Sequence, residues 1–87
     1  MKGVTKTGFE IEIDDAKIDD IRVVDALVDI EEGDLGGVSK AIRLLFTPEQ
    51  KKSFYDHLQK EYGSMKIEIT AKEFFELINN GGETKNL

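Results

Sequence analysis

The chain has 87 residues, enough for one domain, and at this length folding buries roughly 60–65% of the surface that the unfolded chain exposes. There is no cysteine, which excludes disulfide bonds and thiolate metal sites, and no apolar run approaches the ~18–20 residues of a membrane span. The N-terminal segment MKGVTKTGFEIEID has no apolar signal core before its first acids, so we expect a cytoplasmic protein that does not bind membranes.

The net charge of −6 is unevenly distributed along the chain. Residues 1–34 hold 11 acids and 4 bases, a net charge of −7, whereas residues 35–87 hold 7 acids and 8 bases. Binding to a phosphate backbone needs clustered lysine and arginine, so the acidic half argues against a nucleic acid partner. A basic protein partner, mimicry of DNA and a merely solvated acidic face all fit this charge.

The first predicted element is a half-buried strand over about residues 8–13, where the letters FEIEI alternate apolar and acidic residues. The segment SMKIEIT has the same alternation and predicts a second short strand over Lys66–Ile69. Each strand is too short to be stable alone, so we expect the two to pair with each other under a cover of helices.

A first helix is predicted from the capping pair Asp14-Asp15 to about Glu31. One apolar stripe along it consists of Ile21, Val24 and Val28. A second stripe beside it consists of Val23, Leu27 and Ile30. Its polar residues are confined to Arg22, Asp25, Asp29 and Glu32. An ordinary surface helix has a single apolar stripe of a little over roughly 100°, so this helix should be central in the fold.

The two stripes lead to a prediction of where a partner binds. The first stripe is expected to pack on the core positions Phe54, Leu58, Phe74 and Ile78. The second has fewer candidate neighbours in so small a chain, although the next helix could cover it. We therefore predict a partner-binding or self-association surface formed by Val23, Leu27, Ile30 and Leu44. Full burial of both stripes is the alternative.

The next two helices are bounded by proline and glycine. The second covers about residues 38–45 and ends before Pro48, because a residue that precedes proline avoids the helical conformation. Thr47 and Gln50 form a capping box around Pro48 at the first helical position, and this signal opens a third helix. Gly63 is predicted to end that helix.

A further capping box at Thr70–Glu73 predicts a fourth helix, which Gly81-Gly82 should stop. The resulting fold class is mainly α: one domain over residues 1–80, with about four helices and at most a short two-stranded β element. Residues 81–87 are predicted to be a disordered tail.

The acidic stretch DIEEGDLGGV, which covers residues 29–38, does not match the ligand positions of a calcium-binding EF-hand loop. With Gly33 at the sixth position of such a loop, positions 1 and 12 fall on Val28 and Ser39, which cannot serve as ligands. Three carboxylates could still gather a weak ion, those of Asp29, Glu31 and Asp34. We predict no specific metal site and interpret the stretch as a helix end followed by a glycine turn.

Catalytic signals are equally weak. His57 is the one histidine, and its sequence neighbour Asp56 points about 100° away on a helix, so an exposed helical histidine is expected. The serines lie in no nucleophile elbow, and the glycines form no phosphate-binding loop. We therefore predict no catalytic residue, no cofactor and no enzymatic activity.

The order of these segments carries a family resemblance. TGFEIEID leads into an acidic helix that ends in ALVDIEEGD, and AIRLLFTPEQKKSFYDHL and a small final helix follow. Over about residues 7–78, this order resembles the small tail assembly chaperones of long-tailed bacteriophages and prophages of Gram-positive bacteria. The resemblance implies a mostly helical, non-enzymatic protein of the bacterial host cytoplasm. It also implies that the protein binds the tape-measure protein, keeps it soluble and helps recruit tail-tube subunits.

The resemblance brings no catalytic residues with it. Genes of this family often carry a ribosomal frameshift that adds a C-terminal extension, and the ending ETKNL is compatible with one. Two other functions compete with the chaperone. One is an acidic, phage-encoded inhibitor or DNA mimic that binds a host protein, and the other is a structural component of the head–tail junction. The acids of the first helix are interrupted by apolar positions, which weakens the case for mimicry.

Overall fold

The computed structural model describes residues 1–79, and within that range the fold is mainly α, as the sequence predicts. The elements in chain order are β1 (Lys2–Val4), β2 (Glu10–Glu12), α1 (Asp15–Ile18), α2 (Ile21–Glu31), α3 (Gly36–Leu45), α4 (Pro48–Tyr62) and α5 (Ile67–Asn79). The predicted helix stop at Gly81-Gly82 and the predicted disorder of residues 81–87 lie outside the described residues. No helix within residues 1–79 combines the length and the apolar character that a membrane crossing requires.

The two-stranded sheet differs from the predicted pairing. β2 lies within the predicted first strand, but its antiparallel partner is β1, with Gly3 opposite Ile11. The backbone N–H of Ile13 extends the ladder by donating to the Met1 carbonyl at 2.7 Å. The expectation that Lys66–Ile69 supplies the second strand is wrong. Chain proximity favours β1, because a short turn is enough to bring it back along β2.

Lys66–Ile69 instead lies at the start of α5, and the predicted capping box at Thr70–Glu73 is also wrong. Thr70 lies inside the helix, and its hydroxyl donates to the Lys66 carbonyl at 3.0 Å. Four alternating residues fit a strand and a helix almost equally well, so the longer pattern decides. Its buried positions, Thr70, Ala71, Glu73, Phe74 and Leu77, follow helical spacing and continue the helix from Ile67.

The predicted first helix is divided into two. Asp14 caps α1, and Asp20 caps α2 by accepting a hydrogen bond from the Arg22 backbone N–H at 2.8 Å. The Arg22 guanidinium also binds the Asp20 carboxylate, and these hydrogen bonds lower the pKa of Asp20 to about 2. An aspartate that bonds to the backbone two residues ahead competes with the helical conformation, so the chain breaks at this point.

The signals around α4 are confirmed. Thr47 and Gln50 form the complete capping box, with side-chain to backbone distances of 3.1 and 3.0 Å. Gly63 ends the helix in the left-handed conformation at φ 64°, which glycine adopts without a steric cost.

One hydrophobic core gathers residues from every long helix and from β2. The largest fully buried side chains are Phe54, Phe74, Ile13, Ile42, Leu45, Leu58 and Leu77. Phe54 lies at its centre. The centroid of its ring is 5.2 Å from that of the Phe9 ring and 5.5 Å from that of the Phe46 ring. These contacts hold the end of the β-hairpin and the α3–α4 junction against α4.

α2 and α3 are in close contact where α3 begins. A Cβ atom added to Gly37 would overlap the carbonyl oxygen of Ala26 and lie 2.8 Å from Cγ1 of Ile30. Only a residue without a side chain lets the backbones of α2 and α3 come so close. This contact fixes which face of α2 is covered.

We expect Gly37→Ala to lower the free energy of unfolding by about 1–3 kcal/mol, because the added methyl group collides with backbone rather than with a flexible side chain. Gly36→Ala is the matched control, since its Cβ would meet only the Asp34 carboxylate oxygen at 3.0 Å. The control should be neutral or gain up to about 1 kcal/mol from helix propensity. Urea denaturation of both variants tests this, and equal stabilities would contradict the close packing.

Candidate functional site

The predicted partner-binding residues face inward or lie at the edge of the core. Val23 is 1% exposed, and Ile30 is buried with it beneath α3. Leu27 and Leu44 are partly buried and pack against the core. The predicted orientation of the two apolar stripes is therefore wrong, because the stripe assigned to a partner is the one that the fold covers.

The other stripe of α2 faces outward. Ile21 is 67% exposed, and Val24 and Val28 are each 44% exposed. Their spacing of three and seven residues places them on one side of the helix, and we call them the α2 outer stripe. Because these three large aliphatic residues share one face, they present apolar surface that a second molecule could cover.

Ala26 is the residue from which the buried face of α2 could have been predicted. It is 1% exposed and lies between Val23 and Ile30 on the same face, at the spacing i, i+3, i+7. The predicted stripes contain only large aliphatic residues and leave Ala26 out. Including alanine makes the inner face the wider of the two, while acidic residues border the outer one.

Carboxylates surround the α2 outer stripe without cationic partners. Asp25, Glu31 and Glu32 are exposed, and none forms an ion pair within residues 1–79. Acids elsewhere on this helix do have partners: Asp20 binds Arg22 at 2.6 Å, and Asp29 lies 3.5 Å from the Lys40 ammonium. Of the unpaired acids, Asp25 lines the cleft toward α3 together with Asp29, whereas Glu31 and Glu32 lie at the C-terminal end of α2.

Within the described part of the chain, two clefts that open on α3 lie near α2 and near α5. The first, about 270 Å³, lies between α2 and α3 and is lined by Arg22, Asp25, Ala26, Asp29, Lys40, Arg43 and Leu44. The second, about 290 Å³ and more apolar, is lined by Val38, Ser39, Ile42, Tyr55, Met65, Ile67 and Thr70. Met65 and Ile67 are exposed at its edge, which makes this cleft a second apolar surface.

The acidic stretch at residues 29–38 covers the end of α2, the turn between the helices and the start of α3. Gly33 adopts φ 95°, and the Asp34 carboxylate accepts a hydrogen bond from the Gly36 backbone N–H at 3.0 Å. The side chains of Asp29 and Asp34 are thus engaged with Lys40 and with the start of α3. Among the described residues, no group of three His, Asp or Glu side chains is arranged to hold a metal ion.

His57 belongs to a buried polar cluster, and the expectation of an exposed histidine is wrong. Its side chain is 15% exposed, and Nε2 lies 2.7 Å from the Thr7 hydroxyl and 3.7 Å from the Glu73 carboxylate. Thr7 donates to Glu73 at 2.8 Å, and the Tyr62 hydroxyl donates to the other carboxylate oxygen at 2.6 Å. We call His57, Thr7, Tyr62 and Glu73 the Glu73 cluster.

The electrostatics of the Glu73 cluster favour an ionised carboxylate. Burial opposes ionisation, but hydrogen bonds from the Tyr62 and Thr7 hydroxyls and the nearby His57 outweigh it, so the pKa of Glu73 lies below its ordinary value of 4.5. The same hydrogen bond raises the pKa of the Tyr62 hydroxyl to about 12. Both oxygens of the carboxylate are occupied by protein donors, so the cluster ties the hairpin to α4 and α5.

Comparisons of the chain with protein-family models, with curated proteins and with solved structures found no match. The resemblance to tail assembly chaperones therefore stays a prediction from the sequence. Of the surfaces described, the α2 outer stripe with its unpaired carboxylates is the candidate functional site.

Val23→Asp and Val24→Asp should separate the two faces of α2. The first places an unpaired charge in the core at a cost of several kcal/mol, enough to unfold a domain of ordinary stability. The second places the same charge at an exposed position and should leave the fold intact. Circular dichroism and thermal melting check this, and a folded Val23→Asp variant would contradict the assignment of the faces.

Glu73→Gln should lower the free energy of unfolding by about 1–3 kcal/mol at neutral pH, because the amide cannot accept all the donors that face it. It should also reduce the acid sensitivity of the protein. Since folding lowers the pKa of Glu73, its contribution to stability is complete above about pH 4.5 and is lost as the pH falls through the folded-state value.

Urea denaturation between pH 3 and 7 measures this contribution. Glu68→Gln changes an exposed glutamate on the same helix and is the matched control, which should keep both the stability and its pH dependence. An acid dependence of Glu73→Gln equal to that of the unchanged protein would show that Glu73 does not carry it.

Proposed function

We propose that this chain is a non-enzymatic tail assembly chaperone of a long-tailed bacteriophage or prophage. It binds the tape-measure protein in the cytoplasm of the bacterial host and helps recruit tail-tube subunits. The observation that supports this most is the α2 outer stripe, an exposed apolar face on a helix whose opposite face is fully packed. The resemblance over about residues 7–78 supplies the identity of the partner.

The physical requirements of such a chaperone fit this surface. The tape-measure protein is long and hydrophobic, so a chaperone needs apolar surface of its own to cover it. It also needs charge that keeps the complex in solution, and a net charge of −7 in residues 1–34 supplies this next to the stripe. Ile21, Val24 and Val28 would contact the partner, and Asp25, Glu31 and Glu32 would stay at the rim.

An acidic inhibitor that mimics DNA is supported less well. Mimicry of a phosphate backbone needs carboxylates in an uninterrupted row at regular spacing. On the outward face of α2 the carboxylates alternate with exposed aliphatic side chains. In a complex with a DNA-binding protein, those aliphatic side chains would lie against its polar, cationic groove. The free energy needed to dehydrate the charges of the groove would exceed the free energy gained by burying the aliphatic groups.

Co-expression with a tape-measure segment tests the proposal. We expect a neighbouring gene to encode a very long, coiled-coil-like protein, and we expect this chain to raise the soluble yield of that protein several-fold. The variant Val24→Asp/Val28→Asp should lose this effect and stay folded, because both positions are exposed. Pull-down of the complex gives the second readout.

Met65→Asp/Ile67→Asp is the matched control, because it adds two charges to the other exposed apolar surface. It should keep the solubilising activity. If only the control variant loses activity, the second cleft is the binding site and the α2 outer stripe is not. A lack of any binding to the tape-measure protein or to tail-tube subunits would refute the chaperone role.

A further inference from the structure

The border of the α2 outer stripe is acidic on both sides. On a helix that advances about 100° per residue, Asp25 and Glu32 lie about 40–60° to one side of Val28, and Glu31 lies about 60° to the other. Ile21 and Val24 fall between these borders. The stripe is therefore a narrow apolar strip with two carboxylates along one side and one carboxylate on the other.

These carboxylates differ from the other acids of the same helix. Asp20 and Asp29 each have a cation within 3.5 Å, while the three carboxylates at the border have none among residues 1–79. Glu31 and Glu32 also lie at the C-terminal end of α2, where the helix dipole disfavours negative charge. Their placement costs stability in the free protein, and a cationic partner would recover it.

We propose that the α2 outer stripe binds an amphipathic helix whose apolar stripe is flanked by lysine or arginine. This inference rests on the proposed function and adds to it the charge class of the bound segment. Apolar anchors of the partner helix contact Ile21, Val24 and Val28, and its flanking cations face Asp25 and Glu32 on one side and Glu31 on the other. The apolar contact supplies affinity, and the charges set orientation and association rate.

The dimensions fit one short helical segment. α2 has 11 residues and is about 16 Å long, so it can contact about three turns of a partner helix. Anchors spaced i, i+3, i+4 and i+7 on the partner fill such a length. Lysine and arginine have long side chains, which can reach past the aliphatic residues to carboxylates at the border.

A second copy of this chain is a poor occupant of the same surface. Two outer stripes packed together would bring the border carboxylates of one copy against those of the other, and like charges in contact are destabilising. The charge of the border therefore favours a cationic helix over a second copy.

The test uses two synthetic amphipathic peptides of about 18 residues with the same leucine stripe. Lysines flank the stripe in one peptide, and glutamates replace them in the other. Fluorescence anisotropy with the full chain should show binding of the lysine peptide at least about tenfold tighter at low salt, and added salt should reduce the difference. Val28→Asp should abolish the binding of the lysine peptide.

Two charge variants provide the matched control. Asp25→Asn/Glu31→Gln/Glu32→Gln should weaken lysine-peptide binding about tenfold and remove most of its salt dependence. Glu49→Gln/Glu61→Gln/Glu68→Gln removes the same charge from exposed positions on α4 and α5 and should leave the affinity within about twofold. An equal loss in both variants would reduce the effect to net charge and overturn the inference.

Other outcomes separate this inference from the proposed function. Equal affinity for the two peptides would overturn the charge assignment, whether or not the tape-measure protein is bound. A dimer in sedimentation velocity that Val28→Asp dissociates would assign the stripe to a second copy and overturn it as well. Binding of the lysine peptide without any effect on the tape-measure protein would support the docking surface and refute the chaperone role.

Discussion

The buried carboxylate of Glu73 is the constraint on which the arrangement of the hairpin, α4 and α5 depends. Within residues 1–79 it is the one charged side chain that the fold buries completely. A buried charge is tolerated only when protein groups replace its water, and the hydroxyls of Thr7 in the hairpin turn and Tyr62 on α4 do so, with His57 of α4 3.7 Å away. β1 and β2 are only three residues long each, so the hairpin needs contacts with the helices, among them these bonds, the Phe9–Phe54 contact and the packing of Gly3 on the α5 backbone at Leu77.

A second constraint determines the surface of the molecule. Gly37 lets α3 lie directly against α2, and α3 then covers Val23, Ala26 and Ile30. Within residues 1–79 no further helix covers the opposite side of α2, so Ile21, Val24 and Val28 stay in contact with solvent. The outer stripe is therefore a consequence of how the core is closed, and its carboxylate border gives it a preferred kind of partner.

The helices and the fold class were predictable because their signals are local. The capping box at Thr47 and Gln50 and the stop at Gly63 act within one turn of the chain, and the structure has both where the sequence predicts them. The break before α2 is also local, since Asp20 caps the helix that follows. Because the caps Asp14 and Asp20 lie only six residues apart in one acidic segment, a single helix was predicted across both. The alternation at Lys66–Ile69 misled because four residues are too few to distinguish a strand from the first turn of a helix.

The amino-acid sequence by itself determined a mainly α protein without cysteine, with an acidic N-terminal half and an α2 that is apolar on two faces. The tertiary structure decided which of those faces is buried, which strand pairs with β2, and that His57 meets Glu73. These outcomes depend on residues far apart in the chain: Gly37 selects the inner face of α2, and Thr7 and Glu73 meet across 66 positions. Local propensity carries no information about such contacts, because they exist only after the helices have packed.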